Sequence, residues 1–115
     1  MIIDKFEDVI AWQKARQLTL RLYSVLKSLK DFGFRDQIWR ASVSIMNNIA
    51  EGFERKGHKE FSRFLFIAKG SCAEVRSMLY LAKDLNYISE DEFNFLYNQT
   101  MEISKLIGGF IRSLK

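Results

Sequence analysis

The chain contains no proline, and its apolar residues recur at steps of three and four along most of its 115 residues. Proline is the residue that most strongly interrupts a helix, and these steps keep side chains on one side of a helix with 3.6 residues per turn. The sequence therefore predicts an all-α fold. Its length is typical of one domain, so we expect residues 1–115 to share a single core.

Four helices follow from where the apolar period begins and breaks. We expect Asp8 to cap the first helix, Gly33 to lie in the connection to the second, and Ser89 to open a capping box at the start of the fourth. Gly108 and Gly109 should weaken its last turns. The expected helices span 8–30, 35–53, 59–85 and 89 to the C-terminus. Short connections between them predict an up-down-up-down antiparallel four-helix bundle.

The second and third helices carry more apolar surface than the core of one small bundle needs. The residues expected in the core are Ile38, Ile45, Ile49, Phe61, Phe64 and Leu65. A second set lies on other faces and is expected to lack a partner within the chain: Trp39, Val43, Met46 and Phe66. Exposed apolar patches usually mark a protein interface, and a closed homo-oligomer is the commonest result. We therefore predict that this second set contacts neighbouring subunits.

A polar line climbs the second helix beside these apolar residues and consists of Arg40, Ser44, Asn48 and Glu51. It is either a solvated outer face or a network that fixes which helices and subunits meet. Apolar residues flank it on both sides, which favours the network. We accordingly add Arg40, Asn48 and Glu51 to the predicted oligomer interface.

No catalytic or metal centre is expected. The chain has one histidine, His58, and one cysteine, Cys72, so neither a di-iron bundle site nor a zinc site has its ligands. Cys72 lies on the core stripe of the third helix, where a cysteine is usually a buried small hydrophobe. The glycine nearby, Gly70, is expected to allow a close helix approach. We predict a non-enzymatic protein without cofactor, metal or small-molecule substrate.

Basic residues outnumber acidic ones and concentrate on the first helix and around the turn between the second and third, where Gly57 can adopt positive φ. The residues predicted to contact nucleic-acid phosphates are Lys14, Arg16, Arg21, Arg55, Lys56, Lys59 and Arg63. Repetition of such a face around an oligomer would strengthen attraction to a phosphate backbone. The alternative is a solvated face that only keeps the protein soluble.

The N-terminal residues point to a cytoplasmic protein. The opening sequence MIIDKFEDVIAWQK has acids where a secretion signal would have basic residues before an apolar run. Cys72 alone cannot form an intrachain disulfide, and no segment has the long apolar run of a membrane span. We expect no membrane partner.

Two runs, QIWRASVSIMNNIAEGFER at 37–55 and KEFSRFLFIAKGSCAEV at 59–75, resemble a known family, as does the opening around residues 6–15. They are similar to the pattern Q-x-x-R-A-x-x-S-I-x-x-N-I-A-E-G-x-x-R, then E-F-x-R-F-L-x-I-A-x-G-S-x-x-E, of the four-helix-bundle proteins encoded by intervening sequences in bacterial 23S rRNA genes. This chain departs from the family at Met46, where proline is usual, and at Cys72, where leucine is usual.

The resemblance implies a cytoplasmic, non-enzymatic bundle that forms a ring-like homopentamer. A related branch, the accessory variability proteins of diversity-generating retroelements, partners the reverse transcriptase and engages RNA through a basic surface. Ribosome association is suggested for the family by gene location. The predicted function is therefore an oligomeric accessory protein that binds RNA or a nucleic-acid-handling protein. The alternative is a protein-protein interaction scaffold with no nucleic-acid role.

Overall fold

Four α-helices make up most of the computed structural model, which describes residues 3–115. Their bounds are α1 Ile10–Leu26, α2 Phe32–Glu54, α3 His58–Asp84 and α4 Glu90–Ser113, and a short 3-10 turn, Phe6–Asp8, precedes α1. No strand occurs within these described residues. The predicted all-α class and the four helices are confirmed. Met1 and Ile2, the first residues of the predicted domain, lie outside the described part.

The prediction that Asp8 caps the first helix is wrong. Asp8 belongs to the 3-10 turn, and the N-cap of α1 is Val9, whose backbone is extended and whose side chain makes no capping hydrogen bond. Val9 is buried in the core with 1 % of its surface exposed. Burial of an apolar side chain, rather than capping chemistry, therefore marks where α1 begins. The helix also ends at Leu26, earlier than predicted.

The second helix begins earlier than predicted because Asp31 caps it. One carboxylate oxygen of Asp31 accepts a hydrogen bond from the backbone N–H of Phe34 at 3.2 Å. Gly33 consequently lies inside the first turn of α2 and not in the connection. The other carboxylate oxygen accepts from the hydroxyl of Tyr87 at 2.6 Å, which ties the α1–α2 connection to the α3–α4 connection.

The fourth helix begins where its sequence predicts. Ser89 is the N-cap, and its Oγ accepts from the backbone N–H of Glu92 at 3.0 Å. The carboxylate of Glu92 binds Arg21 on α1. The helix passes without a break through Gly108 and Gly109 to Ser113.

One apolar core lies between the four helices. All six residues predicted for it are buried: Ile38, Ile45, Ile49, Phe61, Phe64 and Leu65. Trp39, Met46 and Phe53 are partly buried and also pack against this core. Two members of the second set, Trp39 and Met46, therefore have partners within the chain, contrary to expectation, and less apolar surface is left over on α2 than the sequence suggested.

Polar pairs show how neighbouring helices align. On α1 and α4, Lys14 meets Glu102 and Arg21 meets Glu92, so partner numbers fall along α4 as residue numbers rise along α1. Between α2 and α3, the hydroxyls of Ser44 and Ser71 form one hydrogen bond, and the side-chain amide of Gln37 donates another to Glu74. The molecule is elongated, with extents of 43 × 22 × 19 Å.

The close approach between α2 and α3 occurs at Gly52. A Cβ atom at this position would stand 2.6 Å from Cβ of Phe64, which is closer than real atoms approach. At Gly70, by contrast, an added Cβ would meet nothing within 4 Å. The expectation that Gly70 allows a close approach between helices of this chain is wrong.

Candidate nucleic-acid interface

The seven basic residues predicted to contact phosphates form two groups in the structure. Lys14, Arg16 and Arg21 project from α1, and we call them the α1 group. The turn group surrounds the α2–α3 connection and consists of Arg55, Lys56, Lys59 and Arg63. Gly57 lies in this connection with φ of +92°, as its sequence position predicts. Among the residues that the structure describes, no carboxylate pairs with members of both groups.

Two members of the α1 group bind acids of α4. Nζ of Lys14 lies 3.0 Å from a carboxylate oxygen of Glu102. The guanidinium of Arg21 forms two hydrogen bonds with Glu92, one of them 2.9 Å long, and lies 5.5 Å from the centre of the Phe95 ring. The hydrogen bond that Arg21 donates to Glu92 raises the pKa of Arg21 above its ordinary value. Much of the positive charge of this group is therefore compensated.

The turn group is compensated in part. Arg63 forms two hydrogen bonds with Glu60, of 3.0 and 3.2 Å, and these lower the pKa of the Glu60 carboxyl. Both Arg55 and Arg63 place their guanidinium groups about 5 Å from the ring of Phe64, within cation–π range. Lys56 and Lys59 are exposed, and within residues 3–115 neither forms an ion pair. These two lysines carry the uncompensated charge of the turn.

The apolar residues predicted for the oligomer interface differ in exposure. Nε1 of Trp39 donates to the backbone carbonyl of Leu22 at 3.0 Å, and its ring stacks on Tyr23 with centroids 4.1 Å apart. Val43 and Met46 are half-buried, whereas Phe66 on α3 is 57 % exposed. That these residues contact other subunits stays a prediction. Phe66 is the most exposed of them.

The polar line on α2 joins α2 to α3. Oγ of Ser44 lies 2.9 Å from Oγ of Ser71, and Nδ2 of Asn48 donates to both the carbonyl and the hydroxyl of Ser44. Arg40 is exposed, and Glu51 lies 3.7 Å from Arg55 in the turn group. The middle of the line is therefore a network between two helices of one chain. Its role between subunits stays a prediction.

A third basic region lies between α3 and α4 and was not predicted. We call it the α3–α4 groove, and its basic residues are Lys69, Arg76, Lys105 and Arg112. The signal in the sequence is a spacing of seven residues within each helix, which places both members of a pair on one face. The sequence alone does not show that the two faces meet, because that depends on how α3 and α4 pack.

The single thiol and the single imidazole are separate. Cys72 is buried, and its Sγ donates to the carbonyl of Thr100 at 3.2 Å. Burial raises the pKa of this thiol to about 11. His58 begins α3 at the exposed turn. Among residues 3–115, no three His, Cys, Asp or Glu side chains are grouped so that they could hold a metal ion.

A model of the 23S rRNA-intervening sequence protein family matches residues 7–109. The chain belongs to this family. The match runs from the 3-10 turn into the last third of α4, so it includes the α1 group, the turn group and all of the groove except Arg112. The resemblance seen in the two runs of sequence is confirmed.

A solved structure from Bacteroides thetaiotaomicron has the same fold. It is described as a protein of unknown function from the S23 ribosomal protein family, and it is 25 % identical to this chain. The similarity covers 90 % of this chain and 96 % of that one, with a TM-score of 0.83. A search of curated proteins gives no match.

The four helices differ from bilayer-spanning segments in composition. In the described part of the chain, no helix combines the length and the apolar character of a membrane-crossing segment.

Proposed function

We propose that the chain is a non-enzymatic, homo-oligomeric accessory protein that binds RNA or another nucleic acid through its basic surface. The observation that carries this proposal is the turn group. Its four cations are exposed within residues 55–63, and two of them, Lys56 and Lys59, form no ion pair within the described structure. Exposed, uncompensated cations at the end of an elongated molecule attract a phosphate backbone without regard to its sequence.

Fluorescence anisotropy with a labelled, structured RNA at two salt concentrations tests this proposal. We expect binding at low salt that weakens as salt is raised, because phosphate contacts release counterions. Charge reversal of both Lys56 and Lys59 to Glu should weaken binding to all RNA sequences alike. The matched control is reversal of Lys27 and Lys30, two lysines near the end of α1 that lie outside all three basic regions. Binding of the unmodified protein no tighter than millimolar at low salt would contradict the proposal.

We further propose an up-down-up-down antiparallel four-helix bundle that assembles into a ring, with five subunits as the family resemblance implies. The opposed numbering of the α1–α4 pairs supports the antiparallel arrangement. Large apolar side chains on α3 support assembly, since Phe66, Ile67 and Leu81 are each at least two-fifths exposed.

Light scattering tests the assembly. We expect a mass several times 13.5 kDa, and Phe66→Glu should shift it towards one chain. Because Phe66 is exposed, this change should leave the fold intact, whereas a change at Trp39 would also disturb the monomer. A single-chain mass at high concentration would contradict the ring.

The proposed setting is the cytoplasm, in association with ribosomal RNA or with a reverse transcriptase. The same exposed apolar residues of α3 also favour a second function, a scaffold for another protein with the basic residues serving only solubility. A pull-down separates the two. Recovery of one defined protein after nuclease treatment favours the scaffold, and loss of all partners on nuclease treatment favours RNA.

A further inference from the structure

In the described part of the chain, the groove between α3 and α4 is lined by three cations and by no carboxylate. Its volume is about 200 Å³, and its lining residues are Lys69, Met101, Ser104, Lys105, Gly108 and Arg112. Within residues 3–115, none of the three cations forms an ion pair. Like charges that converge repel each other, and an anion placed among them removes that repulsion. The groove is therefore complementary to negative charge.

Two of the cations, Lys69 and Arg112, lie over the same point of α4, at Gly108. A Cβ atom built at Gly108 would stand 3.6 Å from Nη1 of Arg112 and 3.8 Å from Nζ of Lys69. A Cβ at Gly109 would stand 3.7 Å from Nη2 of Arg112. Because neither glycine has a side chain, the space under the two cations stays open to the oxygen atoms of a ligand.

A fourth cation extends the groove along the helices. Nη1 of Arg76 donates to Sδ of Met101, one of the lining residues, at 3.6 Å. Arg76 is seven residues from Lys69 on α3, and Lys105 is seven residues from Arg112 on α4. Two helical turns separate the members of each pair, so they lie about 10 Å apart on one face. The four charges therefore form a track and not a single point.

We infer that this groove binds phosphate groups, with Lys69, Lys105 and Arg112 contacting the oxygens. The planar fork of Arg112 can bind two oxygens of one phosphate, and the lysines act as compact charges on the others. The hydroxyl of Ser104 adds an uncharged donor. At about 30 Å³ per water molecule, the groove has room for a phosphate group and a few waters. A carboxylate, with two oxygens and one charge, would leave most of these donors unused.

The phosphate can come from a nucleic-acid backbone or from a free oligophosphate. The inference rests on the proposed function only for the first source. A track about 10 Å long with four cations can contact neighbouring phosphates of one strand. We therefore expect a single-stranded oligonucleotide to bind more tightly than pyrophosphate. In that case the groove is a part of the nucleic-acid interface that the predicted residues do not include.

Two-dimensional NMR of the ¹⁵N-labelled full chain, titrated with pyrophosphate and then with a short oligouridylate at low salt, tests the inference. We expect the largest amide shifts at Lys69, Ser104, Gly108 and Arg112, and smaller ones at the turn. Arg112→Gln should weaken both ligands at least about fivefold, because it removes charge-assisted hydrogen bonds. The matched control, Lys27→Gln, removes one charge outside the groove and should leave affinity nearly unchanged.

Gly108→Ala provides a second variant, in which folding and binding are expected to change in opposite directions. Alanine favours the helix more than glycine does, and the new methyl would sit at ordinary contact distances. The variant should therefore melt no lower than the parent, yet bind pyrophosphate more weakly because the methyl occupies the space under the cations.

The outcomes separate this inference from the proposed function. Groove shifts with pyrophosphate together with RNA binding support both. Groove shifts without RNA binding support the phosphate site and overturn the proposed nucleic-acid function. RNA binding with no groove shifts at about 10 mM pyrophosphate, or equal weakening by Lys27→Gln, overturns the phosphate site and leaves the proposed function standing. Equally tight binding of a glutamate-rich peptide at the groove also overturns it, since the surface would then select acidic protein segments.

Discussion

The α2–α3 turn and the α3–α4 groove each carry four cations, but their charges have different partners. At the turn, Arg63 is held by Glu60 and Arg55 lies near Glu51, and both guanidinium groups lie over Phe64. In the groove, three of the cations line one space, and within the described residues none of the four is bound to an acid. The density of basic residues along a sequence therefore does not measure the charge available to a ligand.

Each region also contains a glycine, and the two glycines differ in the space around them. Gly52 lies beneath the turn, where α2 and α3 approach so closely that a side chain would overlap Phe64. Gly108 lies beneath the groove, where a methyl would fit but would fill the space under two cations. The first glycine is required for packing, and we expect the second to matter for binding.

Gly52→Ala should have the largest effect on stability. A Cβ 2.6 Å from Phe64 forces the two helices apart, and overpacking of this kind costs about 1–3 kcal/mol of the free energy of unfolding. Thermal denaturation followed by circular dichroism measures it, with Gly108→Ala as the matched control. Gly108→Ala should be neutral or stabilising by up to about 1 kcal/mol. Equal melting temperatures for Gly52→Ala and the parent would contradict the claim that Gly52, unlike Gly108, is required for packing.

Removing an acid should raise nucleic-acid affinity at the turn. Glu60→Gln releases Arg63, so we expect RNA to bind roughly two- to fivefold more tightly at low salt. The gain should shrink as salt rises. Anisotropy titration measures it, and Asp84→Asn, the same charge change at the exposed C-terminal end of α3, is the control. No gain over the control would mean that the turn does not contact the backbone.

Acid should weaken the fold. Tyr87 and the Phe34 N–H lower the pKa of Asp31, and Arg63 lowers that of Glu60. A carboxyl whose folded pKa is depressed stabilises the fold above its unfolded pKa, and this contribution is lost as pH falls through the folded pKa. The melting temperature should therefore decrease as the pH is lowered below about 4.

Asp31→Asn tests how much the Asp31 carboxyl contributes to the loss of stability in acid. The variant should show a weaker pH dependence below about pH 4 than the parent, because the group that titrates is gone. Melting curves recorded at neutral pH and at several points below the ordinary pKa of an aspartate measure it. An unchanged pH dependence would show that the bond between Asp31 and Tyr87 does not contribute.

The smallest expected effect concerns Cys72, which lies behind the groove and against α4. Because burial raises its pKa to about 11, the native thiol should react with a thiol reagent at mildly alkaline pH far more slowly than the unfolded chain does. Pyrophosphate should not change the rate. Fast labelling of the native protein would show that α3 and α4 separate, and the groove would then not be a fixed site.

Much of the fold could be predicted, because helical periodicity and local capping are properties of neighbouring residues. The core stripe from Ile38 to Ile49 and the Ser89 cap are examples, and both are confirmed. The start of α1 was predicted wrongly, because burial of Val9 outweighed the capping preference of Asp8.

The basic surface was harder to predict because its chemistry depends on contacts between helices. No local pattern pairs Arg21 with Glu92, which is 71 positions away. Nor does a local pattern bring Lys69 to Arg112. The family resemblance was available from sequence, but the partners of its charged residues were not.

The salt dependence of oligonucleotide binding tests most directly whether uncompensated cations contact the phosphates. For a single strand, the slope of log K against log salt changes by about 0.7 for each phosphate contact. Lys105→Gln combined with Arg112→Gln should therefore reduce the slope by about 1.4, whereas Lys27→Gln combined with Lys30→Gln should leave it unchanged. An unchanged slope in the groove variant, or an equal change in the control, would contradict the account.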